Sequence, residues 1–400
     1  MNRLRGLLGD VRSGGTGRSL AILVAVLVLA LVYPRIVENL QDLPLVGDFI
    51  PSTGSMVVMI VFTMMAVGLN IVVGYAGLLD LGYVAFYAAG AYTAGWFASG
   101  QFEQVSFDFL SPAPSGAAGI HISMWLVLIV AGVITTVVGI LIGLPTLRLR
   151  GDYLAIVTLG FGEIVPQFVR NGDSLGGFDL THGTFGISPI DSLAVGDFVF
   201  RSESNRAELY YWTAVGLLLI TVFCSIRLRD SRLGRAWIAI REDETAAAAM
   251  GVPLMRTKTW AYAIGAFFGG VAGAFYASSK AGAFPADFYF NISVFLLCMV
   301  ILGGMGSVWG VILGGLILGY LNVEGLATIG SKIQEGGLDF DPTKYQFGIY
   351  GVIIVAMMLL RPSGLIPERR HKIELEEGVH DTPLYDVVHE GAVAEQEPTV

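Results

Sequence analysis

The sequence predicts an all-α polytopic membrane protein of about ten transmembrane helices, with both termini on the cytoplasmic side. Three observations predict it. The 400 residues are 54% hydrophobic and only 14% charged, with a mean hydropathy of +0.67, far more apolar than a soluble domain. Apolar stretches of roughly 15 to 22 residues, long enough to cross a bilayer, recur along the whole chain. Counted in order, they put every basic cluster on one side, as Lys and Arg accumulate on the cytoplasmic face.

The chain opens with a basic leader, residues 1–18, carrying Arg3, Arg5, Arg12 and Arg18. The apolar stretch 19–36 follows it as the core of a secretory signal would. Tyr33, Pro34 and Arg35 end it in place of a small-residue cleavage site, so it reads as an uncleaved first span. Further spans fall at residues 55–73, 81–98, 122–144 and 153–169, then at 209–226, 258–279, 290–302, 308–326 and 346–360. The 290–302 stretch is short for a crossing. With the N-terminus inside, Arg148 and Arg150, residues 227–258, and Arg361, Arg369, Arg370 and Lys372 are all cytoplasmic. The segment with Glu38, Asp42 and Asp48 and the loops 101–121 and 170–208 face outward. Residues 19–360 form one membrane domain. Residues 361–400 form a cytoplasmic tail whose acidic part, from residue 374, has the composition of a disordered segment.

Several chemistries are excluded. The net charge of −9 comes from acids spread over loops and tail, and no basic groove points to nucleic acid; membrane lipid is the surrounding partner. Cys224 and Cys298 both lie in apolar spans, which argues for packing over a disulfide. The five histidines, His121, His182, His371, His380 and His389, have no metal-ligand spacing. The chain holds no Gly-Lys pair, hence no phosphate-binding loop of the GxxxxGK[ST] type, and no GxSxG elbow. No catalytic or metal residues are assigned, and no cofactor.

Residues 232–252, RLGRAWIAIREDETAAAAMGV, stand between spans yet are charged and Ala-rich. Glu242, Asp243 and Glu244 precede the Ala run, where negative charge favours a helix N-terminus, and Gly251 with Pro253 gives a stop. The segment reads as a docking helix on the membrane surface, as opposed to a plain connecting loop.

Two breaks interrupt the apolar pattern. Gly74, Gly77, Asp80 and Gly82 separate the second and third spans, and Gly303, Gly304 and Gly306 separate the eighth and ninth. Non-helical backbone at membrane depth needs protein or water to satisfy it, so the pair points to an internal repeat around a central pathway; the alternative is tight turns at the membrane surface. Asp80 and Glu163 are acids placed within spans, where a charge costs at least about 2.5 kcal/mol, and both are expected to border a polar cavity. Thr158 joins them as a nearby hydroxyl. The rows Gly265, Gly269, Gly273 and Gly306, Gly310, Gly314 are expected to seat helices closely.

The stretches GLNIVVGYAGLLDLGYVAFYAAGAYTAG (68–95), LRGDYLAIVTLGFGEIV (149–165), GRAWIAIREDETAAAAMGV (234–252) and VILGGMGSVWGVILGG (300–315) together resemble branched-chain amino acid ABC transporter permeases of the LivM type. The resemblance implies a permease subunit in the bacterial plasma (inner) membrane. Its partners are a second, LivH-like permease, two ATP-binding-cassette subunits that bind the ATP, and an extracytoplasmic substrate-binding protein. It also implies that Arg241, Glu242, Asp243, Glu244, Ala246, Ala247 and Gly251 form the element that couples to the ATPase. The general importer pattern, Glu-Ala-Ala with Gly three residues on, would place its Glu where this chain has Thr245, and Glu244 stands one residue early. Family members often carry Thr-Gly-Gly in the outer loop, where this chain has Thr181, His182 and Gly183. Urea or short amides carried by a similar permease, and a gradient-driven secondary carrier, are the alternatives to branched-chain amino acids. A membrane scaffold without a pathway is a third reading.

Overall fold

The computed structural model describes residues 28–367, apart from residues 29, 38–39, 42–46, 112–116, 150, 175, 197, 203–204 and 336–339. The basic leader, the start of the first span, Glu38, Asp42, Arg150 and the acidic tail from residue 368 lie outside the described residues. Residues 30–37 are helical and are tied to the bundle by the Tyr211 hydroxyl, which donates to the Ala30 carbonyl at 2.7 Å.

Twelve further α-helices carry the fold among the described residues. They are α1 (Thr53–Asn70), α2 (Val84–Phe97), α3 (Met124–Thr146), α4 (Asp152–Arg170), α5 (Arg206–Asp230), α6 (Arg232–Glu242), α7 (Glu244–Ala249), α8 (Leu254–Lys280), α9 (Phe290–Gly303), α10 (Val308–Tyr320), α11 (Leu326–Glu335) and α12 (Gln346–Leu360). Eight helical runs of the described residues are long and apolar enough to cross a membrane. Helix α2 is shorter, 14 residues. The expected 81–98 span loses its first turn because the Asp80 carboxylate accepts from the Gly82 N–H at 2.8 Å and the Leu81 N–H donates to Thr158 Oγ1 at 3.0 Å, which holds this backbone out of helical geometry. The expected 308–326 span continues instead through a π-turn, Leu321–Gly325, into α11.

Helices α1 and α8 form the buried centre, α8 packing on α1, α2 and α3, and α1 on α5, α9 and α10. The direction of neighbours follows from paired positions. Gly310 lies on Gly303 and Gly314 on Met299, so α9 and α10 run antiparallel; Gly315 lies on Thr63 and Gly319 on Met59, so α10 opposes α1. The second break, Gly304 to Ser307, is therefore the turn of a helical hairpin. Its backbone takes positive φ at Gly304 (113°) and Gly306 (87°), conformations that glycine adopts without steric cost. Gly265, Gly269 and Gly273 seat α8 against Val72, Phe86 and Tyr87, the close packing that small residues allow.

One end of the bundle carries a small sheet. Strands β1 (Ala98–Ser99), β2 (Ser106–Phe109) and β3 (Gly119–Ile122) pair in the order β1-β3-β2, β1 antiparallel and β2 parallel to β3, and β4 (Ala194–Val195) pairs antiparallel with β5 (Phe198–Val199). The opposite end carries α6, α7, both breaks and the segment Arg361 to Ile366, whose Leu365 and Ile366 N–H groups donate to the carbonyls of Leu302 and Gly303 at 3.0 and 3.1 Å.

Candidate functional site

The segment 232–252 folds as two short helices. Ser231 caps α6, its hydroxyl accepting from the Gly234 N–H at 3.1 Å. The apolar edge of α6 buries Trp237, which is 0% exposed and donates its Nε1–H to the Thr257 carbonyl at 2.8 Å. Asp243 breaks the helix in an extended conformation and then caps α7, accepting from the N–H groups of Thr245 and Ala246 at 2.7 and 3.0 Å. At the far end, the Val252 N–H bonds the Ala247 carbonyl and the Gly251 N–H that of Ala248, with Gly251 at φ 86°. This is the left-handed glycine stop anticipated at Gly251.

The side chains of the segment divide between two faces. Glu242, Asp243, Thr245, Ala246, Ala248 and Ala249 are exposed and Met250 is 85% exposed, whereas Ala247 is buried. Glu244 turns inward and pairs with Lys258 at 2.8 Å, the lysine side chain being only 4% exposed and the glutamate 28%. Arg241 also turns inward, its Nη1 donating to the Gly74 carbonyl. The outward acids are thus Glu242 and Asp243, and Glu244 serves the buried lysine.

Arg241 meets the first break, where α1 runs through a π-turn, Ile71–Tyr75, before the helix is lost. A Cβ on Gly74 would lie 2.0 Å from Asn70 Oδ1 and 2.6 Å from the Gly306 nitrogen, and one on Gly77, itself at φ 67°, would lie 2.9 Å from Arg241 Cγ. These two glycines leave the room into which Asn70, Gly306 and Arg241 converge. Asn70 Oδ1 accepts from the Gly306 N–H at 2.9 Å. A recess of about 190 Å³ beside them is lined by Gly77, Leu79, Asp152, Arg241, Glu244 and Lys258, among others.

Asp80 and Glu163 stand apart. Asp80 is 1% exposed; one oxygen accepts from the Gly82 N–H, and the carboxylate lies against the Tyr262 hydroxyl. Thr158 and Gly162 of α4 receive the backbone at Leu81 and Gly82. Glu163 lies on the opposite, outward side of α4, in a shallow surface recess with Ile164, Gln167, Phe168 and Asn171. The structure therefore unites Arg241, Gly74, Gly77 and Gly306 in one place and Asp80, Gly82 and Thr158 in another, and leaves Glu163 outside both.

Asn70 and Lys258 are the participants that sequence reasoning passed over. Asn70 is the one amide in an otherwise apolar stretch, MAVGLNIVVG, and a search for polar groups within spans, beyond ionisable ones, would have found it. Lys258 opens the 258–279 span, and a cation at the edge of an apolar stretch just after the acids 242–244 is the signal that it pairs.

At the sheet-bearing end, His121 Nδ1 and Asp191 Oδ2 pair at 2.8 Å, joining the two long loops. Burial opposes charging of the imidazole, but the hydrogen bond and charge of Asp191 prevail and raise the His121 pKa; burial raises Asp191 against the pull of His121. His182 sits at φ 57°, the left-handed region, with its N–H donating to Asp179 Oδ1 at 2.6 Å. A glycine at this position would adopt that conformation freely.

Among the described residues no three His, Cys, Asp or Glu side chains gather into a metal-binding group.

A bundle of membrane-length apolar helices with a bonded surface segment at one end and loop strands at the other is the build of a multi-pass membrane protein. The chain belongs to the family of permease components of branched-chain amino acid transport systems, whose model matches residues 52–358. It is 34% identical over 384 residues to the high-affinity branched-chain amino acid transport system permease protein LivM of Escherichia coli (strain K12), covering 91% of this chain and 79% of that protein. It is 29% identical to a probable LivM permease of Methanocaldococcus jannaschii, over 77% of this chain and 91% of the relative. It is also 24% identical to the permease LivH of Salmonella typhimurium, over 76% and 91%. No solved structure matches the chain.

Proposed function

We propose that the protein is the permease subunit of an importer that carries branched-chain, aliphatic amino acids across the bacterial plasma (inner) membrane. It leaves ATP to two ATP-binding-cassette subunits that dock on residues 232–252. One observation carries the reading: a capped pair of short helices stands outside the apolar bundle, presents Glu242, Asp243 and Met250, and is bonded through Arg241 to a helix break. A carrier driven by an ion gradient needs no ATPase partner on such a segment. The sheet-bearing end is the seat of an external binding protein.

A second permease, of the kind represented by the LivH relatives, completes the pathway. Glu163 supports this, because a carboxylate held against lipid in mid-span costs at least about 2.5 kcal/mol. Gly160, three residues earlier, has nothing within 4 Å of a Cβ built on it, room for a helix of the partner. Against that partner the α4 face becomes a pathway wall, with Glu163 for the substrate ammonium and Ile156 and Ile164 for its aliphatic side chain.

The test is quantitative identification of what co-purifies with the tagged protein from its own membranes, native against a Glu242→Ala, Asp243→Ala variant, with Glu244 left in place. Recovery of ATPase subunits with the native chain, and their loss in the variant, is the expected result. Native protein recovered alone, with uptake intact in vesicles lacking any ATPase, would overturn the proposal in favour of a gradient-driven carrier.

A further inference from the structure

We propose that Arg241 is a positioning residue that links movement of the docking segment to both helix breaks through a chain of two hydrogen bonds meeting at Gly74 and Asn70. The inference rests on the reading above that ATPase subunits dock on residues 232–252. The first link is Arg241 Nη1 to the Gly74 carbonyl. That carbonyl lies at the C-terminal end of α1 and its π-turn, where the backbone dipoles leave negative charge and a cation is favoured. The second link is Asn70 Oδ1 to the Gly306 N–H, at 2.9 Å. Between the links is about one helical turn, and the absence of a side chain on Gly74 brings all three groups together.

The π-turn gives this chain something to move. The Ala76 N–H reaches back to the Ile71 carbonyl at a long 3.4 Å, and the Leu78 N–H to that of Val72 at 3.1 Å, so the last turn of α1 is wide and its bonding is uneven. Such turns recur at functional sites. The rest of the docking segment is bonded to the start of α8, by Trp237 to Thr257 and Glu244 to Lys258. Arg241 adds a direct bond from the segment to the break, and Asn70 carries it on to the hairpin turn of α9 and α10.

The experiment reconstitutes the complete importer with native chain, Arg241→Ala or Arg241→Lys, and reads substrate taken up per ATP hydrolysed together with ATP-induced hydrogen exchange at peptides containing Gly306. For Arg241→Ala the expected result is a fall of about tenfold in uptake per ATP, the cost of one lost charged hydrogen bond. The response of the Gly306 peptides to ATP disappears as well, and Arg241→Lys recovers part of both. An unchanged ratio of uptake to hydrolysis with the Gly306 response retained overturns the link. So does a variant whose uptake falls only in proportion to the amount of complex assembled, since that marks a residue needed for folding alone. Failure of the native chain to bring down ATPase subunits instead defeats the docking reading on which the link rests, and is scored separately.

Discussion

Asn70 accepts a hydrogen bond from the backbone N–H of Gly306, 236 residues further along the chain. The bond joins the end of α1 to the hairpin turn between α9 and α10, so the two interruptions in the hydrophobic pattern are one place in the molecule. Both groups are buried, and a buried donor with no acceptor costs more than a formed bond contributes.

Asn70→Ala leaves the Gly306 N–H without its acceptor but also removes the buried, unpartnered Nδ2 of Asn70, and is expected to destabilise the protein by about 1 kcal/mol. The thermal midpoint of the purified subunit in detergent measures it; a variant that melts with the native protein would show the bond to be of no consequence.

The Glu244 and Lys258 pair is asymmetric in burial, and its two halves should differ. Glu244→Gln strands a buried ammonium and is expected to cost about 3 kcal/mol, while Lys258→Met, which leaves a carboxylate able to reach solvent, costs about 1 kcal/mol. A double-mutant cycle of chemical unfolding checks this, the double variant recovering most of the loss; strict additivity would contradict the pairing.

The His121 and Asp191 pair makes the outer loops sensitive to pH. A folded imidazole pKa raised above its ordinary 6.5 means that the folded protein holds this proton more firmly than the unfolded chain. Its stabilisation is complete below 6.5 and is lost as pH climbs through the raised value. The raised Asp191 acts in the same sense within the carboxylate range. Hydrogen exchange of residues 98–111, 117–122 and 187–193 should quicken as pH rises above neutrality beyond the intrinsic chemical rate, and His121→Gln should flatten the profile.

Glu163 faces out of the isolated subunit, so Glu163→Leu should leave or raise its stability in lipid, removing a charge that costs at least about 2.5 kcal/mol there. In the assembled importer the same change should abolish most uptake, with Glu163→Gln intermediate. Native uptake by Glu163→Leu would remove this residue from the pathway.

His182 tests the outer loop. At φ 57° a β-branched residue is strongly disfavoured, so His182→Val should lower the thermal midpoint, while His182→Gly, which relieves about 1 kcal/mol of backbone cost but loses the pairing of the ring Nδ1 with Asp179 Oδ2 at 3.0 Å, should stay close to native.

Composition and periodicity alone determined that the chain is a helical membrane bundle, where its long helices run, and that residues 232–252 stand apart with a cap and a glycine stop. These are local properties: apolar length, cap chemistry and the φ freedom of Gly251 act within a few residues of one another. Tertiary structure decided the rest. It showed that Glu244 faces in and Glu242 out, because a lysine fourteen positions later occupies the inner side. It showed that Asp80 is buried while Glu163 is exposed, because α4 turns Thr158 and Gly162 toward the first break. And it joined the two breaks at Asn70 and Gly306, a contact made by helices distant in sequence, which no local pattern of hydrophobicity or propensity encodes.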